Sequence, residues 1–226
     1  MENTIDDLQF DYKQRRKKDE TDEKIVAEYL DAYFYPTFST TLARCTDKEL
    51  QIAGLDITVE DENWNILTID EKAATRYAGK ELQTFAHEVS SINTAGYEYD
   101  GWLLDFHSAS DYLVEVWIDE VTTSNNVLYN YSDIKSATVI LVKKKDVWSY
   151  LKGNKVSSRE LKKLGKKMRR YGWRSYFYNN FIVTCQQGRK EMAVNILIPR
   201  EVLVNQLATY AVNITNGEVI TIKNDL

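Results

Sequence analysis

The fold is decided by two stretches, AGLDITV (residues 53–59) and NILTIDEKA (residues 65–73). In the first, Leu55, Ile57 and Val59 alternate with Asp56 and Thr58. In the second, Leu67 and Ile69 alternate with Thr68, Asp70 and Lys72. Successive side chains of a strand point to opposite faces, so each run reads as a strand with one apolar and one polar side. The polar connection EDEN, residues 60–63, suits an antiparallel hairpin. Period-two geometry puts Asp70 and Lys72 on one face of the second strand. In a paired hairpin, Asp56 converges on that face from the first.

Two carboxylates brought together repel each other and favour a cation between them. An all-oxygen ligand set selects a hard metal, Mg²⁺ or Mn²⁺, over zinc. Such a site suits phosphodiester hydrolysis, because the metal polarises a phosphoryl oxygen and lowers the pKa of a bound water. Lys72 would orient that water, help deprotonate it, or neutralise developing charge.

Upstream of the hairpin, Ile25, Val26, Tyr29, Leu30 and Tyr33 recur at helical spacing. They predict a helix from Thr21, with Thr21 or Asp22 as N-cap, closing at Pro36. Residues 1–20 are charged, with Arg15, Arg16, Lys17 and Lys18 in a row, and read as a solvated arm ahead of a single domain over 21–226. Downstream, TFAHEVS (84–90) would continue the sheet. Further strands are expected over 112–118, 138–142, 181–184 and 194–198, and helices over 146–151, 157–172 and 201–209. The helix at 157–172 has a serine cap and ends at Gly172. Mixed rather than alternating elements predict an α/β fold with a mixed central sheet flanked by helices.

G-L-D-I at 54–57, then I-D-E-K-A at 69–73 with thirteen residues between Asp56 and Asp70, behind a helix, resembles the D…(D/E)-X-K signature of the PD-(D/E)XK, restriction-endonuclease-like, phosphodiesterases. The resemblance covers about residues 21–118. It implies a restriction-endonuclease-like core in which Asp56 and Asp70 bind metal, the Glu71 carbonyl adds a ligand, and Lys72 is the catalytic lysine. Glu88 falls where the family's third strand follows and is the accessory-acid candidate. The helical acid that the family often carries would be Glu23 or Glu28; helical spacing puts Glu28 well away from the apolar stripe and Glu23 at its edge, and surface placement is expected for both.

Arg159, Lys162, Lys163, Lys166, Lys167, Arg169 and Arg170 face a single acid, Glu160, in the helix at 157–172. Tyr171, Trp173, Tyr176, Phe177 and Tyr178 follow at once. The basic row could lie along a nucleic-acid backbone, DNA by expectation, with the aromatics stacking on bases. Otherwise the segment is a solvated helix followed by an aromatic core strand. The formal net charge is −5, so positive charge must be concentrated locally for phosphate contact.

Cys45 and Cys185 form no C-x-x-C pair, and His87 and His107 have no ligand-spaced partner. No G-x-S-x-G, P-loop or G-x-G-x-x-G sequence occurs. No apolar run reaches the ~20 residues of a membrane span, and the charged N-terminus is not a signal peptide. A reducing cytoplasm is the expected compartment. A homodimer is compatible with the sequence, which leaves the oligomeric state open. The competing expectation is a non-catalytic module on the same fold that binds nucleic acid or protein.

Overall fold

The computed structural model describes residues 5–93, 95–105, 107–187 and 192–226, with side chains described from residue 17 onward. Helix α1 (Ile5–Tyr33) buries Ile25, Val26, Tyr29 and Leu30 along one side, as their spacing requires. Its start corrects the sequence reading. Residues 5–20 of the expected arm are helical and continuous with the rest of α1. Lys18 pairs with Asp22 at 2.5 Å, and Asp19 binds Arg76 at 2.5 Å. Local charge density predicts solvation, but the i,i+4 pair and the Arg76 contact tie this segment down. Residues 1–4 and the side chains of Arg15 and Arg16 lie outside the described residues.

Helix α1 covers one face of a seven-stranded, curled, mixed sheet. Its members are β1 (Ser39–Arg44), β2 (Ile57–Asp61), β3 (Ile66–Ala73), β6 (Tyr112–Val121), β7 (Ile134–Lys143), β11 (Ala208–Thr215) and β12 (Glu218–Asn224), adjacent in that order. Only the β3–β6 pairing is parallel. The hairpin of β2 and β3 forms as expected, with Ile57 opposite Ile69 and Val59 opposite Leu67. These four side chains are buried on the α1 side, together with Val114, Val116 and Ile118 of β6.

The other face of the sheet packs on a second core. A five-stranded antiparallel sheet closes it, in the order β5 (Glu98–Asp100), β4 (Thr84–Ile92), β10 (Val194–Pro199), β9 (Phe181–Cys185), β8 (Ser175–Tyr178). Helix α2 (Lys48–Ile52) caps the turn into β2. Helices α3 (Lys144–Gly153) and α4 (Ser158–Tyr171) add Val147, Leu151, Leu161, Leu164 and Met168 to the second core. Residues 84–90 therefore form a strand, but in this second sheet, within the crossover that the parallel β3–β6 pair requires. The helix expected over 201–209 is cut to a short turn, α5 (Arg200–Val202), and a π-helical turn at Leu203–Leu207 before β11. Among the described residues no helix is long and apolar enough to cross a membrane.

Candidate active site

The two faces of β3 do different work. Glu71 points back toward α1, where Tyr35 Oη donates to it at 2.6 Å and Arg44 bridges it to Asp31 at 2.9 and 2.7 Å. Its side chain is therefore no part of the acidic cluster. Asp70 and Lys72 point to the other face, as period two requires. The Asp70 carboxylate is 1% exposed and accepts a hydrogen bond from the Lys72 ammonium.

Asp56 lies just outside the regular register of the hairpin. Its N–H donates to Ile69 O at 2.9 Å, and its Oδ2 accepts from Glu71 N at 2.8 Å. Its carboxylate thus lies against the Asp70–Glu71 peptide. Lys72 and Asp70 are the charges it feels most. The three residues picked from the sequence do converge.

Electrostatics of the cluster follow from burial and these neighbours. Burial pushes the Asp56 carboxyl up to about 6, with Lys72 opposing and Asp70 reinforcing the shift. Burial alone would lower the Lys72 ammonium, but Asp70 and Asp56 outweigh it and hold it above its ordinary value. Of the helical acids, Glu23 is exposed on α1, yet the neighbouring atoms desolvate its carboxyl enough to raise it, with Lys72 as the chief opposing charge. Glu28 is exposed on α1.

Four groups arrive that the sequence did not reveal. Lys144, the first residue of α3, places Nζ 3.6 Å from Asp70 Oδ2 and donates to Ser108 Oγ at 2.6 Å and Ser110 Oγ at 2.7 Å. Burial lowers its ammonium, with Asp70 opposing. Ser110 Oγ also donates to Gly54 O at 2.5 Å. Gly54 has φ +78°, and a Cβ there would sit 3.0 Å from Ser108 Oγ and 3.3 Å from Asp70 Oδ2, so both the backbone and the space favour glycine.

The fourth group is Glu115, the residue of β6 in register with Lys72. It is fully buried and bonded to the fully buried His87 (Nε2 to Oε1, 2.7 Å). His87 packs on Trp102, whose ring also lies 5.9 Å below Lys72 Nζ. A lone acid inside the apolar run YLVEVWI was the available signal. Alternation on β4 sends His87 inward and Glu88 to the opposite face, beside Gly101, so Glu88 does not join the acids.

Two carboxylates and the Glu71 carbonyl are the oxygens that could hold a metal. Asp70 Oδ2 is buried without a hydrogen-bond partner and faces the Lys144 ammonium at 3.6 Å, so a metal ion taking this oxygen would share it with Lys144. This set fits Mg²⁺ or Mn²⁺, which need only one or two carboxylates when water and phosphate complete the shell. Among the described residues no group of three or more His, Cys, Asp or Glu side chains is placed to hold a metal ion.

Of the basic row on α4, Lys162 and Lys166 are paired with Asp100 and Glu98, and Arg169 with Glu98. Arg159, Lys163, Lys167 and Arg170 face solvent. Comparison with protein-family models, with curated proteins and with solved structures returns no match.

Proposed function

We propose that this protein is a metal-dependent phosphodiesterase that hydrolyses DNA by the two-carboxylate-plus-lysine chemistry of the restriction-endonuclease-like enzymes. The observation that carries the proposal is the convergence of Asp56, Asp70 and Lys72 around the orphaned Asp70 oxygen. The order β1-β2-β3-β6, with β6 parallel to β3 and α1 behind, supports the same reading. Asp56 stands immediately before β2 and Asp70 on β3, on the two limbs of one hairpin.

A bound Mg²⁺ or Mn²⁺ would supply Lewis-acid polarisation of the phosphoryl oxygen. Asp56 and Asp70, with the Glu71 carbonyl, would hold it. Lys72, bonded to Asp70, would orient the attacking water and neutralise charge on the phosphoryl oxygens. Lys144 presents a second ammonium on the other side of Asp70. Plasmid cleavage with Mg²⁺ is the test, and Lys72→Met should lower it about 10²-fold or more. Lys72→Met removes the ammonium while keeping the length of the chain, so the variant should still melt cooperatively. Cleavage at the wild-type rate by folded Lys72→Met would remove the lysine from the mechanism.

The raised Asp56 carboxyl gives a pH signature. Its folded value of about 6 exceeds the ordinary 3.8, so the folded protein prefers the protonated form. The resulting cost to stability is absent below pH 3.8, grows as pH rises toward 6, and is complete above it. For a partly exposed group it amounts to roughly 1–3 kcal/mol. A divalent cation takes the deprotonated carboxylate. Mn²⁺ should therefore raise the melting temperature at about pH 7.5 and have little effect near pH 5. The same increment at both values would place the ion elsewhere.

One observation favours the second reading, a module that binds without cutting. Two ammonium groups already balance Asp70, and no three-acid cluster stands among the described residues. That reading predicts DNA affinity without cleavage in either metal.

A further inference from the structure

Between Glu160 and Glu191 the chain contains no acid, although its net charge is −5. This stretch holds α4 from its second turn onward and the β8–β9 hairpin. Lys162, Lys166 and Arg169 of α4 reach back to Asp100 and Glu98 of β5, and Arg169 also donates to Ser90 Oγ at 2.7 Å and Met192 O at 2.9 Å. These bonds fasten one side of α4. Arg159, Lys163, Lys167 and Arg170 are left in solvent.

At its C-terminus α4 closes on Gly172, with φ +69°. The turn brings three aromatic rings into one column. Tyr171 and Trp173 have centroids 5.5 Å apart at 28°, and Trp173 and Tyr176 lie 5.6 Å apart at 10°. The Arg170 guanidinium sits 5.5 Å from the Tyr171 ring. The rings are 58%, 39% and 44% exposed. The core beside them is already filled by Phe181, Val183 and Cys185, so the column is not there to complete it.

We propose that this column and the outer row of α4 form a track for single-stranded nucleic acid. The cations would follow the phosphates, and unpaired bases would stack against the column. A single acid, Glu160 in the first turn of α4, stands across both elements, and that balance selects a polyanion over a protein partner. The rings face one another and Arg170 lies against Tyr171, so a base would extend the column from the Tyr176 end, and duplex bases, which cover one another's faces, offer none for this. Helix α4 is about 21 Å long, enough for about six nucleotides at duplex-like spacing. The proposal names the form of substrate for the hydrolysis proposed above and rests on that reading for its purpose.

The test needs no catalysis. A fluorescein-labelled dT oligomer of about 20 nucleotides is titrated in EDTA and followed by anisotropy, beside a duplex of the same length. Tyr176→Ala should weaken binding to the dT oligomer about five-fold or more, while Tyr176→Phe stays within about two-fold. Lys163→Ala should flatten the salt dependence by about 0.7 in logarithmic slope. The duplex should bind more weakly and ignore Tyr176. Melting curves confirm that each variant folds. Unchanged affinity in both Tyr171→Ala and Tyr176→Ala would overturn the proposal. So would equal losses on duplex and single strand, or self-association through the column with no oligomer bound. Failure of wild-type cleavage in metal leaves this binding result standing, so the two readings fail separately.

Discussion

Asp70→Asn is expected to lower Mg²⁺-dependent cleavage of plasmid and linear DNA by about 10³-fold or more, while the protein remains folded. The substitution is nearly isosteric, so β3 keeps its place and Lys72 keeps an oxygen to donate to. It removes the negative charge on which two ammonium groups converge. It also removes the orphaned donor atom at the centre of the site. Stability should fall as well, because Lys72 and Lys144 lose the carboxylate that balances them. Cleavage is therefore read at a temperature well below the variant's own melting point. Wild-type cleavage by the folded variant would mean that the activity belongs to another site or to a contaminant.

Glu115→Ala should cost about 3–5 kcal/mol in urea unfolding, the largest loss expected from a single polar residue in this fold. Glu115 and His87 are both fully buried, and each keeps one further polar atom without a hydrogen-bond partner. Truncating the acid opens a cavity and strands the imidazole. Glu115→Gln preserves an acceptor for His87 Nε2 and should cost far less. His87→Ala in the Glu115→Ala background should add little, because the pair acts as a unit. Additive losses in that double variant would show that the pair is not coupled.

The periodic parts of the fold were legible in the sequence. The β2–β3 hairpin, the buried stripe of α1 and the capped helix α4 each carry a local signal, namely alternation, helical spacing, or a serine and a glycine at the ends. Alternation reports which side chains share a face, and says nothing about which strand lies alongside. Residues 84–90 accordingly read as a strand but went to the wrong sheet. The run 201–215 has no glycine or proline to mark where the helical turns end, so the first two residues of β11 were taken into the helix and the rest of the strand was not seen. Within the site, Asp56, Asp70 and Lys72 were visible because they sit on one hairpin. Lys144, Ser108 and Ser110 arrive from other segments, and only tertiary packing brings them to Asp70. The basic row on α4 was found as a row, but the sequence could not show that Lys162, Lys166 and Arg169 answer to Glu98 and Asp100. Those acids lie on a short edge strand more than sixty residues upstream.

Glu71 sits between two residues proposed for chemistry, yet its own bonds run to Tyr35, and through Arg44 to Asp31, behind the sheet. The strand thus divides its duties by parity. One set of side chains faces the proposed site and the other fastens the architecture. A descendant lineage could therefore exchange Asp70 and Lys72, with Lys144 rebalanced, and keep the bonds that fasten β3 to α1. The same drift at Glu71 would loosen α1, β1 and β3 together.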